Sequence, residues 1–452
     1  MLLRTISFRP LLTHSRPFTT LPAQKVTLIT GPTSVGKTAV SVSLTNPPSL
    51  IISADSVQIY EKLSIGANKP TESELKTWNI PHKLIGLMPL HPIDTLETST
   101  AASWYTSTLN LLKTSSPNTV ICGGSSMYID WLLNGMPNAP GWSNSEKVED
   151  VEIDNAIKDA GFTRIEFTSD LEWISFTSRL VEVLTREGGV LEGVEEGVKV
   201  ELKGKFNGVT KNDLYRLKRA VQISVSHVKE KRRGAIFENR RKEREELFEF
   251  RPFFLCPEER REHFHLIDER CEKMILRGLI DEVGNLMIED DLANAPVARA
   301  IGYRQTIDYL TRGDFVRGDL KAFEEYLKRF KAATRQYAKQ QMQWWRRNED
   351  VMFVPVDVRR GMNSDEVEES LGAAVKVIDS LREVEAEEWK RELEDEIGVN
   401  RITRAKNLEQ GNGMRTFQSG SYDIGREGFS SVEEIVEKSD DWVEKIRMNG
   451  DR

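Results

Sequence analysis

The 452-residue sequence predicts an α/β fold, a parallel sheet flanked by helices, and three observations carry that expectation. Short apolar runs stand at residues 26–30, 50–53 and 119–122. A helical stretch at 98–112 separates the last two, and strands alternating with helices are the signature of a parallel sheet. Directly after the first run, Gly31-Pro32-Thr33-Ser34-Val35-Gly36-Lys37-Thr38 fits the phosphate-loop pattern G-x-x-x-x-G-K-[ST]. The fold class is therefore a P-loop NTPase-like parallel sheet, with a helical insertion and C-terminal helices added to it.

In chain order, residues 1–24 come first and contain no Asp or Glu; the first acidic residue is Asp55. Arg4, Arg9 and Arg16 are spaced among Leu, Ile, Phe, Ser and Thr, the composition of a mitochondrial (alternatively plastid) transit peptide. Residues 25–140 hold the strand signals and read as the first part of the core. From 141 to 210 strand signals are few and a Gly/Glu-rich stretch runs from 187 to 204, which reads as an inserted, mostly helical subdomain. Residues 211–350 supply the rest of the core and basic C-terminal helices. Over 257–348 the pattern is helical, with Leu266, Cys271, Met274, Ile275, Leu279 and Val283 marking one face. Residues 351–452 form a charged tail with helical candidates at 365–394 and 432–446. Ser431 and Glu434 have capping-box spacing, and the glycine-rich 411–428 reads as a linker.

Composition sets further limits. The chain is 39% hydrophobic and 30% charged, and no apolar run approaches the ~20 residues of a spanning helix, so no membrane partner is expected. The net charge of −8 averages an acidic tail against basic clusters at 211–219, 229–233, 240–244 and 328–347, so RNA is not excluded. Each cluster taken alone could equally be a solvated helix face. Cys122, Cys256 and Cys271 are widely spaced, which argues against a disulfide framework or a structural zinc site.

The phosphate loop is the firmest signal. Glycines let successive N–H groups face a polyphosphate, and the start of the following helix reinforces them. Lys37 brings a point charge to the outer phosphate and the Thr38 hydroxyl a ligand for Mg²⁺. A chance match is expected about 0.02 times in a chain of this length. The loop does not fix the reaction, because kinases, GTPases, motor ATPases and transferases share it.

Asp55 follows the second apolar run, where strand ends face a ligand crevice. It could hold magnesium, act as a general base, or merely cap a helix. Ser56 and Gln58 carry donors and acceptors suited to an adenine edge, which favours a base-handling site.

At this point the residues resemble the tRNA dimethylallyltransferase (tRNA isopentenyltransferase) family. The resemblance starts with GPTSVGKT and DSVQIYEKLSIGANKPT, from Gly31 and Asp55. IPHKLIG, ICGGSSMYIDWLLNG, KNDLYRLKRAVQI, ARAIGYRQ and ATRQYAKQQMQWWRRN continue it in the family's order, over about residues 25 to 350. It implies that the loop holds dimethylallyl diphosphate with Mg²⁺, and that Asp55 takes a proton from the exocyclic N6 amine of the adenosine 3′ of the anticodon. Lys37 would neutralise the leaving diphosphate and Thr33 would bond near the reacting centre. Asp55, Ser56, Val57, Gln58 and Ser125 would hold the flipped adenosine. Tyr215, Arg216, Leu217, Lys218 and Arg219 would touch the anticodon loop, and the insertion would bind tRNA. The enzyme is expected to act as a monomer.

The sequence also departs from the family. Ser125 replaces a threonine, Tyr215 a glutamine, and Lys83 a frequent second histidine. The family's diphosphate-holding arginine has no match between Pro140 and Asn212 beyond Arg164. The helix carrying Gln340, Gln341, Arg346 and Arg347 would track phosphates, with the 344–345 tryptophan pair expected in the core. Rival readings are an adenylate isopentenyltransferase acting on free AMP, ADP or ATP, a P-loop kinase or ATP-driven nucleic-acid module, and a tRNA-binding protein without catalysis. The basic helices of 260–350 favour tRNA over free nucleotide.

Overall fold

The structure, a computed structural model, describes residues 23–91, 100–115, 118–135, 147–161, 167, 169–207, 209, 217–218, 220–222, 224–225, 247–346, 348–359, 362, 364–395, 403 and 432–450. Its centre is a six-stranded sheet of β1 (Gln24–Thr30), β2 (Leu50–Ser53), β3 (His82–Lys83), β4 (Thr119–Cys122), β5 (Phe248–Pro257) and β6 (Met352–Val356). The order is β3-β2-β4-β1-β5-β6 and every pairing is parallel. β2 and β4 are buried at all their residues, as strands covered on both faces must be.

Alternate residues feed opposite layers because side chains in a strand point to opposite faces. Leu28, Ile52, Ile121 and Phe254 enter one hydrophobic cluster, while Ile29, Ile51, Val120 and Phe253 enter the other. The first layer holds α3 (Thr100–Thr114), α4 (Ser126–Asn134), α8 (Arg260–Leu276), α9 (Leu279–Glu289), α10 (Tyr303–Leu310) and α11 (Leu320–Trp345). The second holds α1 (Lys37–Val42), α12 (Ser364–Leu381) and α13 (Ala386–Glu394). A capped surface helix, α2 (Glu72–Trp78), joins the elements around β3.

The expected parallel fold holds, and the three expected strands are β1, β2 and β4. The other strands were not expected. β3 is only two residues long, and β6 lies inside the supposed tail. That tail is largely part of the core. Leu371 of α12 packs in the second layer, and Trp389 of α13 meets Phe253 edge-on with the Arg251 guanidinium over its other side. The expected 365–394 helix is interrupted where Arg382 leaves to bond Asn46 and Asn118, and where the Val384 carbonyl accepts from Arg251.

α14 (Val432–Gly450) packs on α9 and α10, where Trp442 donates its indole N–H to Asp281 and Asp440 pairs with Arg312. Of the expected apolar face over 257–348, Cys271, Met274, Ile275, Leu279 and Val283 are buried; Leu266 is half-exposed and Ile267 takes its place.

The insertion has its own core, built by α5 (Lys147–Asp159), α6 (Asp170–Thr185) and α7 (Glu196–Asn207). Leu217, Val221 and Val225 belong to the same cluster, so the subdomain runs beyond residue 210. Among the described residues no helix is long and apolar enough to cross a membrane. Of the 1–24 transit-peptide reading, residues 1–22 lie outside the described residues, as do the 411–428 linker and Ser431, while Gln24 already belongs to β1 and pairs with Phe248.

Candidate functional site

The site forms at the carboxyl ends of β1, β2 and β4. From β1 the chain crosses to β2 on one side, and from β4 to β5 on the other. That reversal opens a crevice beside β1, the expected place for a ligand in a parallel sheet.

The phosphate loop fills the end of β1. Gly36 has φ 89°, a left-handed conformation costly for a residue with a Cβ, and a Cβ there would stand 2.8 Å from the Leu371 side chain. Ser34 adopts φ 65° without being glycine, so the loop holds strain at that point. α1 is only six residues long, so the N–H nest of the loop contributes more than a long helix dipole could. The Lys37 ammonium donates to the carbonyls of Gly31 at 3.1 Å and Pro32 at 2.8 Å, which leaves a third donor for an anion. Burial pushes its pKa down to about 8; neighbouring Arg270 lowers it further, while Asp55 opposes the fall.

Asp55, half-buried at the end of β2, accepts the N–H groups of Val57 at 2.8 Å and Gln58 at 3.3 Å through Oδ1. Among the described residues no hydrogen bond reaches its Oδ2. The charge of Asp55 is felt by Lys37, Arg270 and Tyr337, whose phenol is held above its ordinary pKa by burial and then by that carboxylate. The four groups therefore lie near one another. The third strand end closes in through Gly123, where a Cβ would lie 2.2 Å from the Ala54 carbonyl oxygen. The Ser125 hydroxyl accepts the N–H of Ser56 at 2.9 Å, joining the β2 and β4 ends.

Gln58 departs from expectation. Its Oε1 accepts from the Ser53 hydroxyl at 2.9 Å, and its Nε2 donates to the carbonyls of Asn68 at 3.0 Å and Ala67 at 3.4 Å. The amide is occupied in holding the 64–68 loop, so it does not offer the bidentate adenine contact. Its role is to shape the pocket wall. The same loop is tied from α9, because Glu282 accepts the N–H groups of Ser64, Ile65 and Gly66 as well as the Tyr303 hydroxyl.

Two further expectations are corrected. Leu217 is fully buried in the insertion's core, so its side chain is not offered to a ligand as placed, while the partly exposed Lys218 is paired with Asp154 of α5 at 2.7 Å. Of the tryptophan pair, Trp345 is buried in the core but Trp344 is 54% exposed. Tyr215, Arg216, Arg219 and Arg164 lie outside the described residues.

Sequence reasoning missed Arg270 and His263, and it gave Gln341 a different role, in a helix tracking phosphates. Arg270 of α8 lies close enough to Asp55 and Lys37 for their charges to interact; burial lowers its pKa, with Cys271 and Asp55 opposing the fall and Arg277 adding to it. Among the described residues its guanidinium has no hydrogen-bond or ion-pair partner, which suits it to an anionic ligand. The available signal was its position beside Cys271 and three residues after Ile267, inside the buried arc of a helix. Gln341 of α11 donates Nε2 to the Gly124 carbonyl at 2.7 Å and accepts the Thr33 N–H through Oε1 at 2.9 Å. His263 of α8 lies with Nε2 at 2.8 Å from the Thr33 carbonyl oxygen. Burial, offset in part by that bond, pushes the pKa of His263 down to about 4, with Lys37 and Arg260 adding to the fall; the imidazole is neutral and Nε2 is its donor.

The donor set fits a magnesium–diphosphate. Among the described residues no three His, Cys, Asp or Glu side chains converge as a metal cage. The exposed Thr38 hydroxyl would act with phosphate oxygens and water, the usual mode for Mg²⁺.

Comparison with known proteins places the chain. The sequence pattern of the IPP transferase family matches residues 58–167 and 200–348. The tRNA dimethylallyltransferase of Protochlamydia amoebophila is 28% identical over 341 residues, covering 74% of this chain and 85% of that protein. The tRNA dimethylallyltransferase 9 of Arabidopsis thaliana is 28% identical over 358 residues, covering 72% and 69%. A solved eukaryotic dimethylallyltransferase acting on tRNA superposes with TM-score 0.52 at 18% identity, over 79% of this chain and 78% of that one, and shares the fold.

Proposed function

The chain belongs to the IPP transferase family, and on that footing we propose that it transfers a dimethylallyl group from dimethylallyl diphosphate to the N6 amine of the adenosine 3′ of the anticodon in tRNA. The observation that carries this reading is the phosphate loop at the end of β1, its Lys37 ammonium anchored on the Gly31 and Pro32 carbonyls, with the Asp55 carboxylate at the end of β2 and Arg270 close enough for the three charges to interact.

Two cations and the loop N–H groups suit a diphosphate, and they stabilise best the charge that develops as it departs. Asp55 lies near them, at the end of β2. Oδ1 is fixed by two backbone N–H groups, so the carboxylate is oriented before substrate arrives. Oδ2 is the atom that takes the proton from the N6 amine. As that nitrogen bonds the allylic carbon, the carbon–oxygen bond to diphosphate breaks and the electron pair leaves with the diphosphate. Mg²⁺, held by Thr38 and the phosphates, would supply further charge neutralisation. Thr33 lies beside the reacting centre, and the paired Ser56 and Ser125 line the adenosine side.

The free-nucleotide alternative is not favoured: the relatives are named for tRNA, and the matched segment includes α8 to α11. We assign the residues ahead of β1, 1–23, as a mitochondrial (alternatively plastid) presequence and the enzyme as a monomer. The test is incubation of the purified protein with labelled dimethylallyl diphosphate, Mg²⁺ and either unmodified tRNA or AMP. Label in the anticodon loop of tRNA and none in AMP is expected; label in AMP alone would reverse the assignment. Fusion of residues 1–23 to a fluorescent reporter tests the organelle.

A further inference from the structure

The geometry points to His263 and Gln341 as a two-point clamp on Thr33 that holds the phosphate loop in its anion-receiving shape before substrate binds. The inference rests on reading this loop as the diphosphate cradle and adds two positioning residues to it. Both polar groups of the Thr33 backbone are taken by side chains from other elements: the carbonyl by His263 Nε2 at 2.8 Å, the N–H by Gln341 Oε1 at 2.9 Å. Gln341 extends the clamp to the neighbouring strand end through the Gly124 carbonyl. A Cβ on Gly124 would stand 2.6 Å from Gln341 Nε2 and 3.5 Å from the Lys37 ammonium, so the clamp closes beside the cation that meets the ligand.

The loop needs such a device. Thr33 precedes Ser34, whose left-handed φ of 65° is unfavourable for a residue with a Cβ, and among the described residues the buried Ser34 hydroxyl has no partner. Nothing in the Ser34 side chain stabilises that turn, so the restraint comes from its neighbour. The jaws are rigid as well. His263 is 2% and Gln341 4% exposed, and their helices α8 and α11 are locked together by the Glu272–Lys331 and Asp268–Arg335 ion pairs and by Cys271 against Thr334. A neutral imidazole has one N–H to donate, and the Thr33 carbonyl fixes it on Nε2. A loop ordered in advance gives up less conformational freedom on binding, so the benefit falls on affinity for the anion.

The experiment measures pyrophosphate binding with Mg²⁺ by calorimetry, and steady-state prenylation of tRNA, for wild type, His263→Met, His263→Gln, Gln341→Met and the double His263→Met/Gln341→Met. Thermal unfolding runs in parallel. In His263→Met the Kd for pyrophosphate and the KM for the prenyl diphosphate rise about tenfold, while kcat and the KM for tRNA change by less than about threefold. His263→Gln, which keeps an N–H near the Nε2 position, recovers most of the affinity. Gln341→Met behaves like His263→Met, and the double variant loses less than the two single losses combined, because both act through Thr33. Wild-type affinity in a folded His263→Met, or a His263→Gln as weak as His263→Met, overturns the clamp. If His263→Met unfolds, the Gln341 variants carry the same comparison. A wild-type protein that binds no pyrophosphate instead overturns the reading of the loop.

Discussion

Asp55 accepts the backbone N–H of Val57 through Oδ1 at 2.8 Å, with Gln58 N–H at 3.3 Å on the same oxygen. The bond separates two roles within one carboxylate. An amide oxygen can accept the same N–H groups, but an amide cannot take a proton from an amine. Asp55→Asn should therefore keep the turn and fold, bind tRNA with near wild-type affinity, and lose about 10²–10⁴-fold in kcat. Asp55→Ala should lose the turn as well and weaken tRNA binding. Single-turnover prenylation with a filter-binding assay separates the two; an Asn variant with wild-type turnover would remove Asp55 as the base.

Lys37 gives a pH dependence with a definite sign. Its ammonium is held down to about 8 chiefly by burial, so the free enzyme loses that charge as pH rises through about 8. A bound diphosphate favours the protonated form and raises the pKa again. The profile of kcat/KM for the prenyl diphosphate should thus carry an alkaline limb near 8 that is absent from kcat. Lys37→Met should remove the limb together with most of the activity.

Arg270 predicts a different pattern. Its guanidinium has no protein partner among the described residues, so shortening it leaves no orphaned carboxylate behind. Arg270→Gln should fold normally and raise the KM for the prenyl diphosphate with kcat/KM down about 10²-fold, without changing the KM for tRNA. Arg270→Lys should recover little, since an ammonium cannot present the planar fork that fits phosphate oxygens.

The contrast between Lys37 and Arg270 shows what a sequence discloses. The phosphate loop is local: eight consecutive residues carry the turn, the charge and the hydroxyl, and their order alone announces them. The β1, β2 and β4 strands were legible because their apolar runs are buried on both faces and stop at glycine or at Asp55. β3 was too short to leave a pattern, and β6 is hidden within charged surroundings although it pairs with β5 in register. Arg270 and His263 were illegible because helical packing alone brings them to the loop, and for the same reason Gln341, read as part of a phosphate-tracking helix, turns out to bond Thr33 and Gly124 instead. Gln58 misled for the same reason: its amide suits an adenine edge until the fold shows it spent on the carbonyls of Ala67 and Asn68.

The tail gives the last prediction. Asp440 of α14 is fully buried; it pairs with Arg312 at 3.3 Å and accepts the Gly318 N–H through Oδ2. Trp442, two residues on, packs against Gly284 so closely that a Cβ there would meet the indole at 2.4 Å, and it donates to Asp281. These contacts seat α14 on α9, the helix whose Glu282 fixes the 64–66 loop beside Gln58. Removing one partner of a buried ion pair leaves the other uncompensated and costs about 3–5 kcal/mol, whereas replacing both by apolar groups can be neutral. Asp440→Leu should lower the unfolding midpoint by about 5–10 °C, with kcat at low temperature within about twofold of wild type. The double Arg312→Met/Asp440→Leu should regain part of the midpoint, the Gly318 N–H remaining unpaired. Differential scanning fluorimetry of the three proteins decides it: an Asp440→Leu midpoint equal to wild type would mean that α14 is not seated on the core in solution.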